Sequence, residues 1–260
     1  MRQMYGKATY LYLVTIFLLG FLFIACKLKS FPVKTTTGNG PNQTLFISKR
    51  SSQDDSLIIS KKISCFTFLL IMSSPKGDIR RKAMRETWLK YTDKKINKVE
   101  RRFIVGTKGL SLITIKELKE EQSKYSDLLF LEQFKDSYYK LTEKLLRTLI
   151  WIDKYVDAKF IMKLDDDTFV RLDKLLPSIT PREPLKRVYW GFFRGNARIK
   201  KKGPWKEPGW FLSDHYIPYA LGGGYVISTD LVNYIAKNAN YFSLYNSEDV
   251  SLGEYFFNQL

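Results

Sequence analysis

The chain has 260 residues, 45% hydrophobic and 15% aromatic, which is enough for one sizeable core and a tail. Its 43 Lys and Arg against 26 Asp and Glu give a formal net charge of +17, favouring acidic partners without choosing among nucleic acid, anionic lipid, phosphorylated small molecules and anionic glycans. Two cysteines exclude a disulfide framework and a zinc finger, and a single histidine, His215, excludes a His-rich metal centre. A general base is therefore expected to be a carboxylate, with His215 as the one imidazole alternative.

The basic surplus is uneven. Residues 1–62 carry nine Lys/Arg against two Asp/Glu, whereas residues 127–180 carry nine against ten. Ala8–Cys26 contains no charge and is long enough to span a bilayer core as a helix. It is longer than the apolar part of most signal peptides, and no small-x-small cleavage site follows, so a retained anchor is expected. Lys and Arg flank it almost equally, so charge does not set its orientation. Residues 27–62 turn to Lys, Thr, Ser, Gly, Asn and Gln, the composition of a flexible stem. Asn42-Gln43-Thr44 is an N-glycosylation sequon, usable where the stem faces a secretory lumen.

The globular part, 63–260, begins with an apolar run, Cys65–Met72, which predicts a buried strand. A turn at Ser73–Gly77 follows, then a helix from Asp78 to about Leu89. Further strands are predicted at Arg102–Gly106, Asp127–Glu132 and Phe160–Leu164, and helices at Thr114–Tyr125 and Leu141–Val156. This alternation predicts a mostly parallel α/β sheet with ligands beyond the carboxyl ends of its strands. After Pro181, shorter strands and aromatic loops are expected to cover one side of the cleft.

Asp165, Asp166 and Asp167 sit at one such strand end. Adjacent carboxylates repel one another, and Mg²⁺ or Mn²⁺ relieves this while bridging carboxylate to phosphate. A solvated acidic turn is the plainer alternative. Glu248 and Asp249 read as a helix start or as a catalytic pair. Gly222, Gly223 and Gly224 permit a ligand to approach backbone, or form a hairpin connection. Arg81 and Arg85, with Trp88, share one helical face that suits phosphates or a base, or is an ordinary basic face. Lys200–Lys202 read as a solvated loop, and Trp205 and Trp210 as platforms for sugar faces.

Five segments occur in one order: Arg80–Trp88 (RRKAMRETW), Phe103–Gly106 (FIVG), Lys163–Val170 (KLDDDTFV), Tyr219–Ser228 (YALGGGYVIS) and Ser247–Gly253 (SEDVSLG). Together they resemble the β-1,3-galactosyltransferase family over residues 63–260. The resemblance implies a GT-A fold, a Rossmann-like and mostly parallel sheet flanked by helices. It also implies a type II Golgi membrane protein with a cytoplasmic tail at 1–7, an anchor at 8–26 and a lumenal catalytic domain. UDP-galactose is the implied donor. The acceptor is a galactose-terminated glycan, and Tyr189–Phe193 (YWGFF) points to the galactosyl-xylosyl linkage region of proteoglycans. Nucleic acid is not an expected partner. Asp165 and Asp167 fall on the ends of the family's D-x-D motif and Asp249 on its expected base. Arg81 and Arg85 are expected at the donor, and Gly222, Gly223, Gly224, Trp190 and Glu248 in the acceptor cleft. Family members continue beyond the point where this chain stops, Leu260. A shortened form that binds UDP-sugar or glycan without turnover is therefore the alternative expectation.

Overall fold

The computed structural model describes residues 62–92 and 98–257. The expected tail, the apolar span 8–26, Asn42 and nearly all of the stem lie outside the described residues. Among the described residues no helix is long and apolar enough to cross a membrane.

Two short strands, β1 (Ile63–Ser64) and β5 (Val156–Asp157), pair in parallel at one end. The main sheet has six strands: β2 (Thr67–Met72), β3 (Val99–Gly106), β4 (Leu128–Leu131), β6 (Phe160–Asp165), β7 (Tyr189–Arg194) and β8 (Tyr219–Ser228), in the order β4-β3-β2-β6-β8-β7. The first four run parallel, while β8 is antiparallel to β6 and to β7. All six residues of β2 are buried. A strand covered on both faces has no reason to alternate, which is why its sequence reads as an unbroken apolar run.

Helices cover both faces. On one side, Leu69 and Ile71 of β2 and Phe160, Met162 and Leu164 of β6 share a core with three helices: α1 (Asp78–Glu86), α2 (Leu112–Tyr125) and α4 (Leu172–Ile179). A 3₁₀ turn, Trp88–Tyr91, extends α1 and adds Trp88 and Leu89 to that core. On the other side, Phe68 meets Trp151 of α3 (Leu141–Tyr155), with ring centroids 6.4 Å apart. The same helix packs on α5 (Thr229–Asn238) and α6 (Glu248–Phe257). Seven α3 side chains are buried, so it is the helix most committed to the core.

The glycine triplet lies inside β8 rather than in a connecting loop. Gly224 pairs with Leu164 across β6, and a Cβ on it would sit 3.3 Å from Leu164 Cδ2. Its lack of a side chain therefore serves sheet packing.

Candidate active site

The site follows from strand order. From β2 the sheet grows through β3 and β4 in one direction, and through β6, β8 and β7 in the other. Such a switch point leaves a crevice beyond the strand ends. Met72 and Asp165 are register partners, so β2 and β6 finish side by side. A cleft of about 810 Å³ opens there. Its floor carries Ser73, Asp165, Asp166 and Asp167, and one wall Gly222, Gly223, Glu248 and Asp249. Arg80 and the segment from Arg194 to Trp205 complete the rim.

The three adjacent aspartates do not act alike. Asp166 points inward: its Oδ2 accepts from Ser73 Oγ at 2.8 Å and its Oδ1 from Arg80 Nη1 at 2.9 Å. Asp165 is half-exposed, with Oδ1 2.8 Å from Lys163 Nζ. Asp167 is 64% exposed and has one oxygen 3.6 Å from Arg80. The expected three-carboxylate metal cage is therefore not assembled. Among the described residues no group of three or more His, Cys, Asp or Glu side chains is gathered to hold a metal. Asp166 spends both oxygens on protein donors, which leaves Asp165 and Asp167 as the candidate ligands. One or two carboxylates at a cleft mouth fit Mg²⁺ or Mn²⁺ when substrate phosphates and water complete the shell.

The arginines expected at the donor require correction. Arg81 is 0% exposed; its guanidinium pairs with both oxygens of Glu121, at 2.8 and 2.6 Å, and its Nη1 also donates to Ser73 Oγ. The Arg85 side chain is only 7% exposed, forked onto Asp127 at 2.9 and 2.7 Å and paired with Glu121 at 2.8 Å. Burial alone would push Glu121 up, but the two arginines outweigh it and hold the carboxyl below its usual value. Neither guanidinium is free to take a phosphate. The helix turns a different arginine to the cleft, Arg80, with its side chain 59% exposed.

Lys163 was not singled out by the sequence, yet it organises the site. It is fully buried and donates to Asp165 Oδ1 at 2.8 Å, Glu248 Oε1 at 2.7 Å and the Gly222 carbonyl at 2.7 Å. Burial would lower its pKa, but the Glu248 and Asp165 charges more than offset this and raise it, so the ammonium stays charged. Glu248 is correspondingly held below its usual range despite its burial, because Lys163 faces it. Glu248 is thus committed to Lys163, and its neighbour Asp249 is not.

Asp249 lies in the first turn of α6. Its Oδ2 accepts from Gly222 N at 3.2 Å and its Oδ1 from Val250 N at 2.9 Å. Burial first, and then repulsion from Glu248, push it up to about 6. Gly222 makes this approach possible: a Cβ there would stand 3.1 Å from Glu248 Oε1 and 3.3 Å from Lys163 Nζ.

Other expectations divide. Gly222, Gly223 and Glu248 line the cleft, and so does Trp205. Gly224 and Trp190 do not. Trp190 packs against the core, with the Arg182 guanidinium 4.9 Å from its ring centroid. Trp210 is buried in an aromatic cluster with Tyr216 and Tyr245, so it offers no sugar platform. Lys200 lies in an exposed loop, as expected, and lines the cleft from there. His215 is not in the cleft lining; its backbone pairs in an isolated antiparallel bridge with that of Arg198, which is in it. Asp136, Tyr138, Tyr219 and Arg194 line it as well. Tyr219 opens the glycine segment, but no local motif marks Asp136, Tyr138 or Arg194, which come from separate segments that only the fold brings together.

A Galactosyltransferase family model matches residues 79–260. Beta-1,3-galactosyltransferase 6 of Mus musculus is 45% identical over 195 residues, covering 74% of this chain and 60% of that protein. Human Beta-1,3-galactosyltransferase 5 is 32% identical over 198 residues, covering 72% and 61%. UDP-GalNAc:beta-1,3-N-acetylgalactosaminyltransferase 2 of Xenopus tropicalis is 35% identical over 137 residues, covering 52% and 28%. The chain therefore spans less than two thirds of the length of each of these relatives. Among solved structures, a galactosyltransferase LgtC complex with donor and acceptor sugar analogs aligns with a TM-score of 0.40 and 14% identity, covering 72% of this chain and 70% of that one. With the match running from α1 through the aspartate run and the glycine strand to α6, the chain belongs to the β-1,3-galactosyltransferase family.

Proposed function

We propose that this protein transfers galactose from UDP-galactose, with inversion and in β-1,3 linkage, to a galactose-terminated acceptor such as the galactosyl-xylosyl linkage region of a proteoglycan. The observation that carries this reading is the pairing of two chemically distinct walls in one cleft. Asp165, Asp167 and Arg80 lie on the side suited to a diphosphate, and Asp249, held at about 6, lies on the side suited to accepting a proton.

In the proposed reaction, Asp249 accepts the proton of the acceptor hydroxyl as its oxygen attacks the anomeric carbon of galactose. The new carbon–oxygen bond forms while the bond to the UDP oxygen breaks, and UDP leaves from the opposite face. Glu248, paired with Lys163, keeps the turn that bears Asp249 in place. Arg80 offsets negative charge on the diphosphate. A divalent cation held by Asp165 and Asp167, when bound, would neutralise charge on the departing UDP. We further propose that residues 8–26 anchor the chain in the Golgi membrane with the catalytic domain lumenal.

UDP release by the full chain, with UDP-galactose, Mn²⁺ and a galactosyl-xyloside acceptor, is expected to exceed release without acceptor. It should also exceed release from other UDP-sugars. Equal release with and without acceptor would overturn transfer. Release unchanged by chelation of divalent cations would overturn the metal.

A further inference from the structure

The acceptor side of the cleft is built by a long loop, residues 195–218, between β7 and β8. It contributes Arg198, Lys200 and Trp205 to the lining. Loops of this length without regular structure need an anchor. Part of the anchoring is internal: Tyr216 N donates to the Ala197 carbonyl at 2.8 Å, and Lys200 N to Tyr216 Oη at 3.1 Å. Those bonds shape the loop but do not fix it to the rest of the site.

Glu207 makes that connection. It is buried, and its own N–H donates to the Lys200 carbonyl at 2.8 Å. Its Oε2 accepts from Asn246 N at 2.6 Å, and while burial pushes the carboxyl up, the nearby backbone N–H groups of Gly209 and Ser247 counter that push. The Asn246 side-chain amide returns the contact, donating to the Lys206 carbonyl. Asn246 and Ser247 immediately precede Glu248 and Asp249. One carboxylate therefore bonds, at once, the loop that shapes the acceptor wall and the turn that presents the base. The partners are backbone donors, and an ionised carboxylate is the side chain that meets several of them with acceptors alone.

We propose that Glu207 is a positioning residue for the acceptor: it clamps the 195–218 wall to the Asp249 turn, so that the acceptor hydroxyl and its base are held in one frame. This rests on the proposed transfer reaction. Donor binding is not part of the clamp, because Arg80, Asp165 and Asp167 lie on α1 and at the end of β6 and make no bond to Glu207.

The substitution Glu207→Gln puts an amide NH₂ against backbone N–H donors, and Glu207→Asp keeps the charge but withdraws it by one methylene. In the full chain, both are expected to leave UDP affinity, measured by calorimetry with Mn²⁺, within about twofold of the parent. Acceptor kcat/KM should fall roughly 10–100-fold for Gln and less for Asp, the scale of an ångström-level misplacement. Unchanged acceptor kinetics in both variants would overturn the clamp. So would a parallel loss of UDP and acceptor binding, which marks a purely structural role. Should Glu207→Gln fail to fold, Glu207→Asp decides. Should the parent itself show no transfer, the proposed function fails and hydrogen exchange decides the clamp. Faster exchange at 196–217 and 246–249 together, with β2 and β6 unchanged, supports it; unchanged exchange overturns it.

Discussion

Two neighbouring carboxylates, Glu248 and Asp249, differ because one buried cation bonds only one of them. Lys163 takes Glu248 at 2.7 Å and holds it ionised; Asp249 keeps backbone donors alone and rises to about 6. A base must be deprotonated to act, so transfer should be lost as pH falls through about 6 and reach a plateau above it. The measurement is kcat/KM for the acceptor between pH 5 and 8; a rate that stays flat down to pH 5 would exclude Asp249. Asp249→Asn, which cannot accept a proton, should cut transfer roughly 10²–10⁴-fold and leave UDP binding near normal. The same residue-level logic separates the two adjacent arginines. Arg81→Met leaves Glu121, a part-buried acid, with Arg85 as its remaining arginine partner and removes the donor to Ser73 Oγ and the Ser74 carbonyl; it should cost about 1–3 kcal/mol, with a clear fall in Tm. Arg80→Ala removes an exposed side chain but also one partner of the buried Asp166, so it should lower Tm less than Arg81→Met and should weaken UDP binding. Reversal of that pattern in a thermal melt and a UDP titration would restore Arg81 as a donor ligand.

At the scale of elements, α6 reaches the site by lying close on β8. Gly253 is the contact: a Cβ there would be 2.7 Å from Tyr219 Cβ and 2.9 Å from the Pro218 carbonyl. Glycine is a poor helix residue, so Gly253→Ala would gain about 1 kcal/mol from propensity alone. The close contact predicts the opposite sign, a lower Tm, together with reduced transfer as the Asp249 turn shifts; a raised Tm would refute the contact. Elements of this kind differ in how far the sequence discloses them. The runs at 67–72 and 160–165 read directly as buried strands, and Leu141–Tyr155 reads as a core helix, because period and length are local properties. The helix Leu172–Ile179 was not anticipated. It contains Pro177, yet Leu172, Leu176 and Ile179 fall on one buried face. Arg81 and Arg85 share one face of α1, as their spacing predicts, whereas Trp88 falls past the end of that helix in the 3₁₀ turn. Spacing says which residues share a face and not which way it points. Trp88, which is buried, held the clue that this face turns inward. Of the cleft residues from 194 to 205 the sequence marks Trp205 alone; Arg194, Asn196 and Arg198 carry no local signal, because their role depends on a loop folding back to α6.

Across the whole molecule the sheet divides the labour. Its parallel half ends in the aspartates proposed to face the donor, and its antiparallel half, β8 and β7, carries the glycine strand and the proposed acceptor wall. The chain ahead of this domain bears nine basic residues against two acidic ones within 1–62, and its only long uncharged stretch is Ala8–Cys26. Charge flanks that stretch nearly equally and does not orient it. The proposed reaction does. A transferase that acts on proteoglycan acceptors in the Golgi must have its cleft in the lumen, so residues 27–260 must lie on that side. Asn42-Gln43-Thr44 then meets the glycosylation machinery. The full chain expressed in cells is expected to carry one glycan at Asn42, seen as a shift in gel mobility when N-glycans are enzymatically removed, and absent from Asn42→Gln. A protease added outside intact microsomes should spare everything beyond the anchor. Digestion of residues 30–260 under those conditions would place the domain in the cytosol and remove the basis for a Golgi glycan acceptor, whatever the cleft does with UDP-sugars in solution.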